Sequence, residues 1–205
     1  MYIMCQVPSD WERALAFHGH SCPGLALGLR AAQAGMASLN ELRDEDEEIF
    51  VVVENDACGV DAVMVLTGCT LGKGNLLYKD LGKQAYVFGN RKTGRAVRVV
   101  VKDPIWRQEP GYADLAARVM AGQATPEEKE QFTQRRDERT QQLLEMPTEK
   151  LLRVTELDFP FPGRARIFSS LQCAECGEWA MEPRMRLREG RTVCLSCAGE
   201  YIRGW

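Results

Sequence analysis

Two Cys-x-x-Cys pairs limit what this chain can fold into more than any other feature. Cys173-Ala-Glu-Cys176 and Cys194-Leu-Ser-Cys197 stand 17 residues apart. Each such turn can aim both sulfurs at one ion, and two pairs at this spacing make the donor set of a four-thiolate zinc site. A site of that kind is closed to substrate, so the zinc is structural. Gly177 supplies the first turn, Arg184–Leu187 and Arg191–Val193 read as a hairpin across Glu189-Gly190, and Ala198–Arg203 reads as a terminal helix. Knuckle, hairpin and helix in that order predict a treble clef. A segment of about 40 residues cannot bury enough apolar surface to fold alone, and the metal supplies what is missing.

A second cluster lies near the other end, in Phe17-His-Gly-His-Ser-Cys-Pro-Gly24. Both histidines of the chain, His18 and His20, fall here, with Cys22 two residues on. Imidazole and thiolate bind soft and borderline metals, and a thiolate is also a nucleophile. Pro23 suits the first position of a helix, where its missing N–H costs nothing. The spacing therefore predicts a helix from Pro23 to Leu39 with Cys22 at its N-cap, where the helix dipole favours thiolate. Gly24 and Gly28 imply close packing of that helix on a neighbour; Arg30 and Gln33 exclude a membrane span.

Between the clusters the chain reads as mixed structure. Ser9 and Glu12 form a capping box for a short helix through Trp11, Leu15 and Ala16. Residues 41–48 hold six acids against one arginine and read as a solvated loop. Ile49–Val53 is β-branched and aromatic, a strand buried on both faces. It delivers a loop, Glu54–Asp61, in which Cys58 precedes a helix (Asp61–Leu66) ending at Gly68, with Cys69 directly after. The run Gly68–Lys73 fails the phosphate-loop spacing and reads as a glycine-rich turn, or a loop closing over Cys58. Gln84–Gly89 and Ala96–Lys102 form a hairpin, broken at Asp103-Pro104. Helices follow at Tyr112–Met120 and from Thr125-Pro-Glu-Glu128 to about Glu145. The second is mostly charged, so residues 124–146 are expected to be exposed or to span between domains. After a strand at Leu151–Leu157, Phe159-Pro-Phe-Pro-Gly163 reads as part of a linker over residues 147–165. Strands and helices that cluster without alternating predict an α+β core domain over residues 1–165, followed by the zinc domain over 166–205.

A net charge of −3 gives no drive toward nucleic acid or an anionic membrane, and no apolar run is long enough to cross a bilayer. Arg184, Arg186, Arg188 and Arg191 make a basic strip, but Glu175, Glu178, Glu182, Glu189 and Glu200 nearly balance it. An acidic protein surface suits that strip at least as well as nucleic acid. The N-terminus lacks a signal-peptide pattern, which predicts a cytoplasmic protein whose eight cysteines are ligands or reactive thiols. Cys5, with no such surroundings, is expected to be an ordinary thiol.

Taken together, Phe17–Gly24, Cys58 with Asp61, Thr67-Gly-Cys-Thr-Leu-Gly-Lys-Gly-Asn75, Asp80-Leu-Gly-Lys83 and the paired cysteines resemble the E-subunit family of formylmethanofuran dehydrogenase over nearly the whole chain. The resemblance implies an α+β domain with a Cys/His metal site, a treble-clef zinc domain and a homodimer. It implies that His18, His20, Cys22 and Cys58 hold a second metal, zinc or another transition metal, with Asp61, Cys69, Thr70 and Lys73 in or beside the site. It further implies a metal-binding accessory or carrier protein serving a molybdenum or tungsten redox enzyme of one-carbon metabolism. A metal-dependent enzyme using the same site, and a zinc-finger regulator of nucleic acid, are the alternatives, since fold and ligands do not fix function.

Overall fold

The computed structural model describes residues 8–40, 46–102 and 110–200. Cys5, most of the acidic run, the break at Asp103-Pro104 and the helical reading beyond residue 200 lie outside them. The chain divides into two compact units, Met1–Arg164 and Ala165–Trp205.

The first unit opens with α1 (Asp10–His18), started by the expected Ser9/Glu12 capping box and stopped by Gly19 in the left-handed region. Next comes α2 (Pro23–Leu39), N-capped by Cys22. Then follow β1 (Ile49–Val53), α3 (Gly59–Thr67), β2 (Leu76–Tyr78), β3 (Ala85–Asn90) and β4 (Arg95–Val101). Helices α4 (Tyr112–Met120), α5 (Pro126–Glu145) and α6 (Thr148–Leu151) lead to β5 (Leu152–Glu156). The sheet order is β2-β1-β3-β4-β5, with β1 and β2 parallel and every other pairing antiparallel. This is the expected α+β class. The parallel pair has no signal in the sequence, because three residues of β2 carry no periodicity of their own.

The period of two in the strands sorts side chains onto two faces. Ile49, Val51, Val53, Tyr86, Phe88, Val97 and Val99 point to one face, where α2 lies against β3 and β4, and α1 and α3 pack on α2 in the same apolar cluster. Phe50, Val52, Val87 and Ala96 point to the other, where Leu157, Phe159 and Phe161 cover them. The proline-rich stretch that reads as linker is therefore also a strap. Phe159 stacks on Phe50 at 6.0 Å and Phe161 meets it edge-on at 5.0 Å. Arg91 lies over the same ring and donates to the Pro162 and Gly163 carbonyls. On this second face Arg98 grips Glu54 with two bonds, 2.9 and 2.7 Å.

The helix expected to stand free does so only in part. The start of α5 is exposed and carries the predicted Thr125/Glu128 capping box, but Arg139, Thr140 and Leu143 near its end are buried. Arg30 of α2 donates to the Leu143 and Leu144 carbonyls at 2.9 and 2.6 Å and to Thr148 Oγ1 at 2.9 Å. It thereby satisfies carbonyls that a helix end leaves open.

Closest of all is the packing of α2 on α3. A Cβ placed on Gly28 would come within 2.0 Å of the Gly59 carbonyl oxygen. The expected glycine-mediated contact is thus backbone against backbone, and it sets the two helix N-termini side by side.

The second unit holds two small hairpins. β6 (Ser170–Gln172) pairs with β7 (Trp179–Met181) around the first cysteine knuckle, and a 3-10 turn (Glu182–Arg184) follows. β8 (Met185–Arg188) pairs with β9 (Arg191–Cys194). Glu189 and Gly190 both take positive φ, 50° and 76°, the turn geometry that suits a two-residue hairpin. Of the expected terminal helix, Ala198 is helical as the last residue of α7 (Leu195–Ala198), which ends at Gly199 with φ +67°.

Candidate metal centres

The four paired cysteines converge. The sulfurs of Cys173, Cys176, Cys194 and Cys197 all lie within 4.8 Å of one another, and Cys176 and Cys194 are 3.9 Å apart. Local sequence accounts for this geometry. Gly177, with φ +76°, returns its N–H to the Cys173 carbonyl, closing the first knuckle, while Cys194 caps α7 and Cys197 rides within it. The knuckle is tied to β9 by the Ala174 N–H on the Thr192 carbonyl at 3.0 Å.

Backbone N–H groups of Cys194, Cys176 and Glu175 hold the Cys173 thiol down to about 6. Its crowded neighbours Cys194 and Cys176 push Cys197 up to about 12. Four sulfurs in such a space cannot all ionise without a cation, and a divalent metal of zinc's preference for thiolate satisfies them all. Among the described residues, Met185 and Val193 are the buried apolar side chains clustered with them, so the donor set stands where a core would otherwise be.

In the first unit, His18, His20 and Cys22 bring one ligand atom each to within 4.8 Å of the others. His18 closes α1, His20 follows the Gly19 turn, and Cys22 caps α2, so two helix ends and the turn between them make the cluster. Cys22 Sγ lies 3.8 Å from His18 Nε2 and accepts the Leu25 N–H at 3.4 Å. The two imidazole rings sit 4.4 Å apart. Asp61, on the first turn of α3, holds His18 Nδ1 at 2.7 Å. That bond places the proton on Nδ1 and turns Nε2 toward Cys22, the arrangement by which a carboxylate orients a ligating histidine.

The other predicted residues fall in different places. Cys58 stands next to the cluster but outside its mutual 4.8 Å. Burial pushes its thiol up, and the neighbouring Cys22 sulfur adds to that. Cys69, Thr70 and Lys73 are not beside the site. They follow the far end of α3, whose nine residues separate them from Cys58 by about 13 Å. Cys69 is buried, with its sulfur on the Ile49 carbonyl at 3.5 Å. Thr70 Oγ1 accepts the Lys73 N–H, and Lys73 Nζ donates to the Gly68 carbonyl at the end of α3. The glycine-rich turn therefore closes the α3–β2 connection rather than covering Cys58.

Sequence reasoning missed Tyr86. Its ring is fully buried, and its hydroxyl, pushed up to about 12 by burial, lies 2.7 Å from where a Gly59 Cβ would stand, beside Cys58 in the chain. A lone phenol among Ala85, Val87 and Phe88 on a buried strand was the available signal, because a buried hydroxyl needs partners. It donates to Gln84 Oε1 at 3.2 Å.

Comparison with known proteins agrees with this division. Residues 17–153 match the family described as FmdE, molybdenum formylmethanofuran dehydrogenase operon, and residues 166–203 match the prokaryotic dksA/traR C4-type zinc finger. A probable S-adenosyl-L-methionine-binding protein of Archaeoglobus fulgidus is 36% identical over 196 residues, covering 92% of this chain and 52% of its own length. The chain thus spans about half the length of the curated relative it matches. The crystal structure of a tungsten formylmethanofuran dehydrogenase FmdE-like protein from Syntrophus aciditrophicus superposes with a TM-score of 0.58 at 22% identity. The alignment covers 92% of this chain and 89% of that one, and it speaks for the fold alone. With the family match extending over residues 17–153, from the His/Cys cluster to the last strand of the sheet, the chain belongs to the FmdE family and carries a C4-type zinc finger behind that domain.

Proposed function

We propose that this protein is a metal-binding accessory or carrier protein, in which His18, His20 and Cys22 hold a transition metal, zinc or a similar ion, while the second unit holds structural zinc. The observation that carries the proposal is the Asp61–His18 bond beside Cys22. Three borderline donors converge, and a carboxylate fixes the tautomer of one of them. Three protein ligands leave a position free for water, a substrate or an acceptor's ligand, unlike the closed four-cysteine site. A site built from two helix ends and one turn, with His20 exposed, suits a metal that is held at the surface and passed on.

Within this reading the protein works in the cytoplasm as a homodimer, serves a larger redox enzyme of one-carbon metabolism, and its second unit is a treble clef. The family description supports the redox association. A metal-dependent enzyme built on the same three ligands is the second reading, favoured by that same open position. The relative's name adds S-adenosyl-L-methionine as a ligand to assay. A nucleic-acid role is weakened because Arg188 and Arg191 both spend their charge on Glu175, at 3.7 and 3.3 Å.

Cobalt(II) titration of the full chain tests the core site. Two sets of thiolate-to-metal absorption bands are expected, and His20→Ala should remove one of them. A single set in the wild-type protein would overturn the proposal.

A further inference from the structure

Cys58 poses a question that the metal cluster leaves open. It faces the site, yet it is not one of the three converging donors. Gly24, in the first turn of α2, lies against both cysteines. A Cβ placed there would be 3.2 Å from Cys58 Cβ, 3.8 Å from Cys58 Sγ and 4.0 Å from Cys22 Sγ. Both sulfurs therefore lie within 4.0 Å of one point, and that point is empty because residue 24 has no side chain. The backbone contact of α2 on α3 at Gly28 and Gly59 holds the two helix starts at this separation.

We propose that Cys22 and Cys58 form a reversible disulfide that switches the His18–His20–Cys22 metal site off. The inference rests on the metal-site reading for its consequence, but not for the bond itself. A disulfide needs Cβ atoms about 3.5–4.5 Å apart, and Cys58 Cβ already reaches into the first turn that Cys22 caps. The sulfur of Cys22 takes the Leu25 N–H at the start of α2, whereas Cys58 makes no side-chain cap bond at the start of α3, so the two are unequal in role.

The oxidant is a peroxide. The Cys22 sulfur attacks one peroxide oxygen, the O–O bond breaks, and water leaves with a sulfenic acid formed on Cys22. The Cys58 sulfur then attacks the sulfenic sulfur, the S–O bond breaks, and the departing hydroxide takes the Cys58 proton as a second water. Two thiols and one hydrogen peroxide give one disulfide and two waters, with two electrons passing from sulfur to oxygen. A sulfur in a disulfide is no longer a thiolate, so the metal loses one of three ligands and leaves. Reduction by a dithiol restores the site.

The test uses the full chain, loaded with zinc and separately stripped of it. Each is treated with one equivalent of hydrogen peroxide, then alkylated and mapped by tandem mass spectrometry, with released zinc counted. The expected result is a Cys22–Cys58 disulfide in both preparations, release of one zinc from the loaded protein, and recovery of both states on adding dithiothreitol. Cys58→Ser should bind the core metal as the wild type does, yet form no disulfide at Cys22. Cys58→Ser that loses the core metal without oxidant would make Cys58 a ligand and overturn the proposal. So would oxidation confined to Cys173, Cys176, Cys194 and Cys197. If the core site binds no metal but the disulfide still forms in the stripped protein, the redox pair stands and the metal-site reading fails.

Discussion

The two cysteine clusters of this chain use similar chemistry on opposite terms. In Ala165–Trp205 the four sulfurs replace a core: among the described residues, Met185 and Val193 are the buried apolar side chains clustered with them. In Met1–Arg164 the His/Cys cluster sits on the rim of a core that is already complete, with a five-stranded sheet covered on both faces. One metal would hold a fold together, and the other would be held by a fold that does not need it. A site of the second kind would give up its ion and survive, which would make it the one available for function.

The sharpest way to break that comparison is to remove one ligand from each side. Cys176→Ser should release the structural zinc and unfold the second unit, since binding energies of such sites are on the order of 10 kcal/mol. The thermal transition of the first unit should stay in place. If the second unit keeps its dispersion in an NMR spectrum of that variant, the metal is not its core.

Packing should matter in the first unit where metal matters in the second. Gly28→Ala forces a methyl group into the Gly59 backbone, with no flexible side chain to yield, so a loss of about 3 kcal/mol or more is expected in chemical denaturation. The same change should weaken core metal binding, because it parts the helix starts that carry Cys22 and Asp61.

A smaller effect comes from the second face of the sheet. The Arg98 guanidinium holds the Glu54 carboxyl below the usual carboxylate range, and burial opposes it. Since the folded pKa lies below the unfolded one, the stabilisation is fully present above the unfolded value and is lost as pH falls through the lowered folded value. Arg98→Ala should cost about 2 kcal/mol at neutral pH and flatten the acid limb of a stability–pH profile. A profile unchanged by the substitution would show that the pair contributes nothing.

The smallest expected change isolates the orienting carboxylate. Asp61→Asn keeps the shape but weakens the hold on His18 Nδ1, so core metal affinity should fall roughly tenfold with the fold and the structural zinc unaffected. Equal affinity would remove Asp61 from the site.

How far the sequence can be read follows from where the determining contacts lie. Pro23 with Cys22 before it, Ser9 with Glu12, and Thr125 with Glu128 are local signals, and their helices start where those residues place them. The zinc knuckles are likewise set by neighbours along the chain. What stays illegible is set by distant partners. β2 exists because β1 offers it a parallel edge. Arg30 reaches across 113 residues to the Leu143 carbonyl at the end of α5, although its charge alone argues only against a membrane helix. The prolines around Phe159 and Phe161 speak for a linker, whereas Phe50 decides where those two rings go. Cys69 is close enough to Cys58 in sequence to suggest one shared site, but the helix between them carries it to the opposite end of β1, on the Ile49 carbonyl.

Counting metal by elemental analysis, in protein purified without added metal, tests the central claim most directly. The wild type should carry two equivalents per chain. Cys176→Ser should carry one and keep a folded first unit, and the double variant His18→Ala, His20→Ala should carry one and keep both units folded. A double histidine variant that retains two equivalents, or a wild type with only one, would contradict the account.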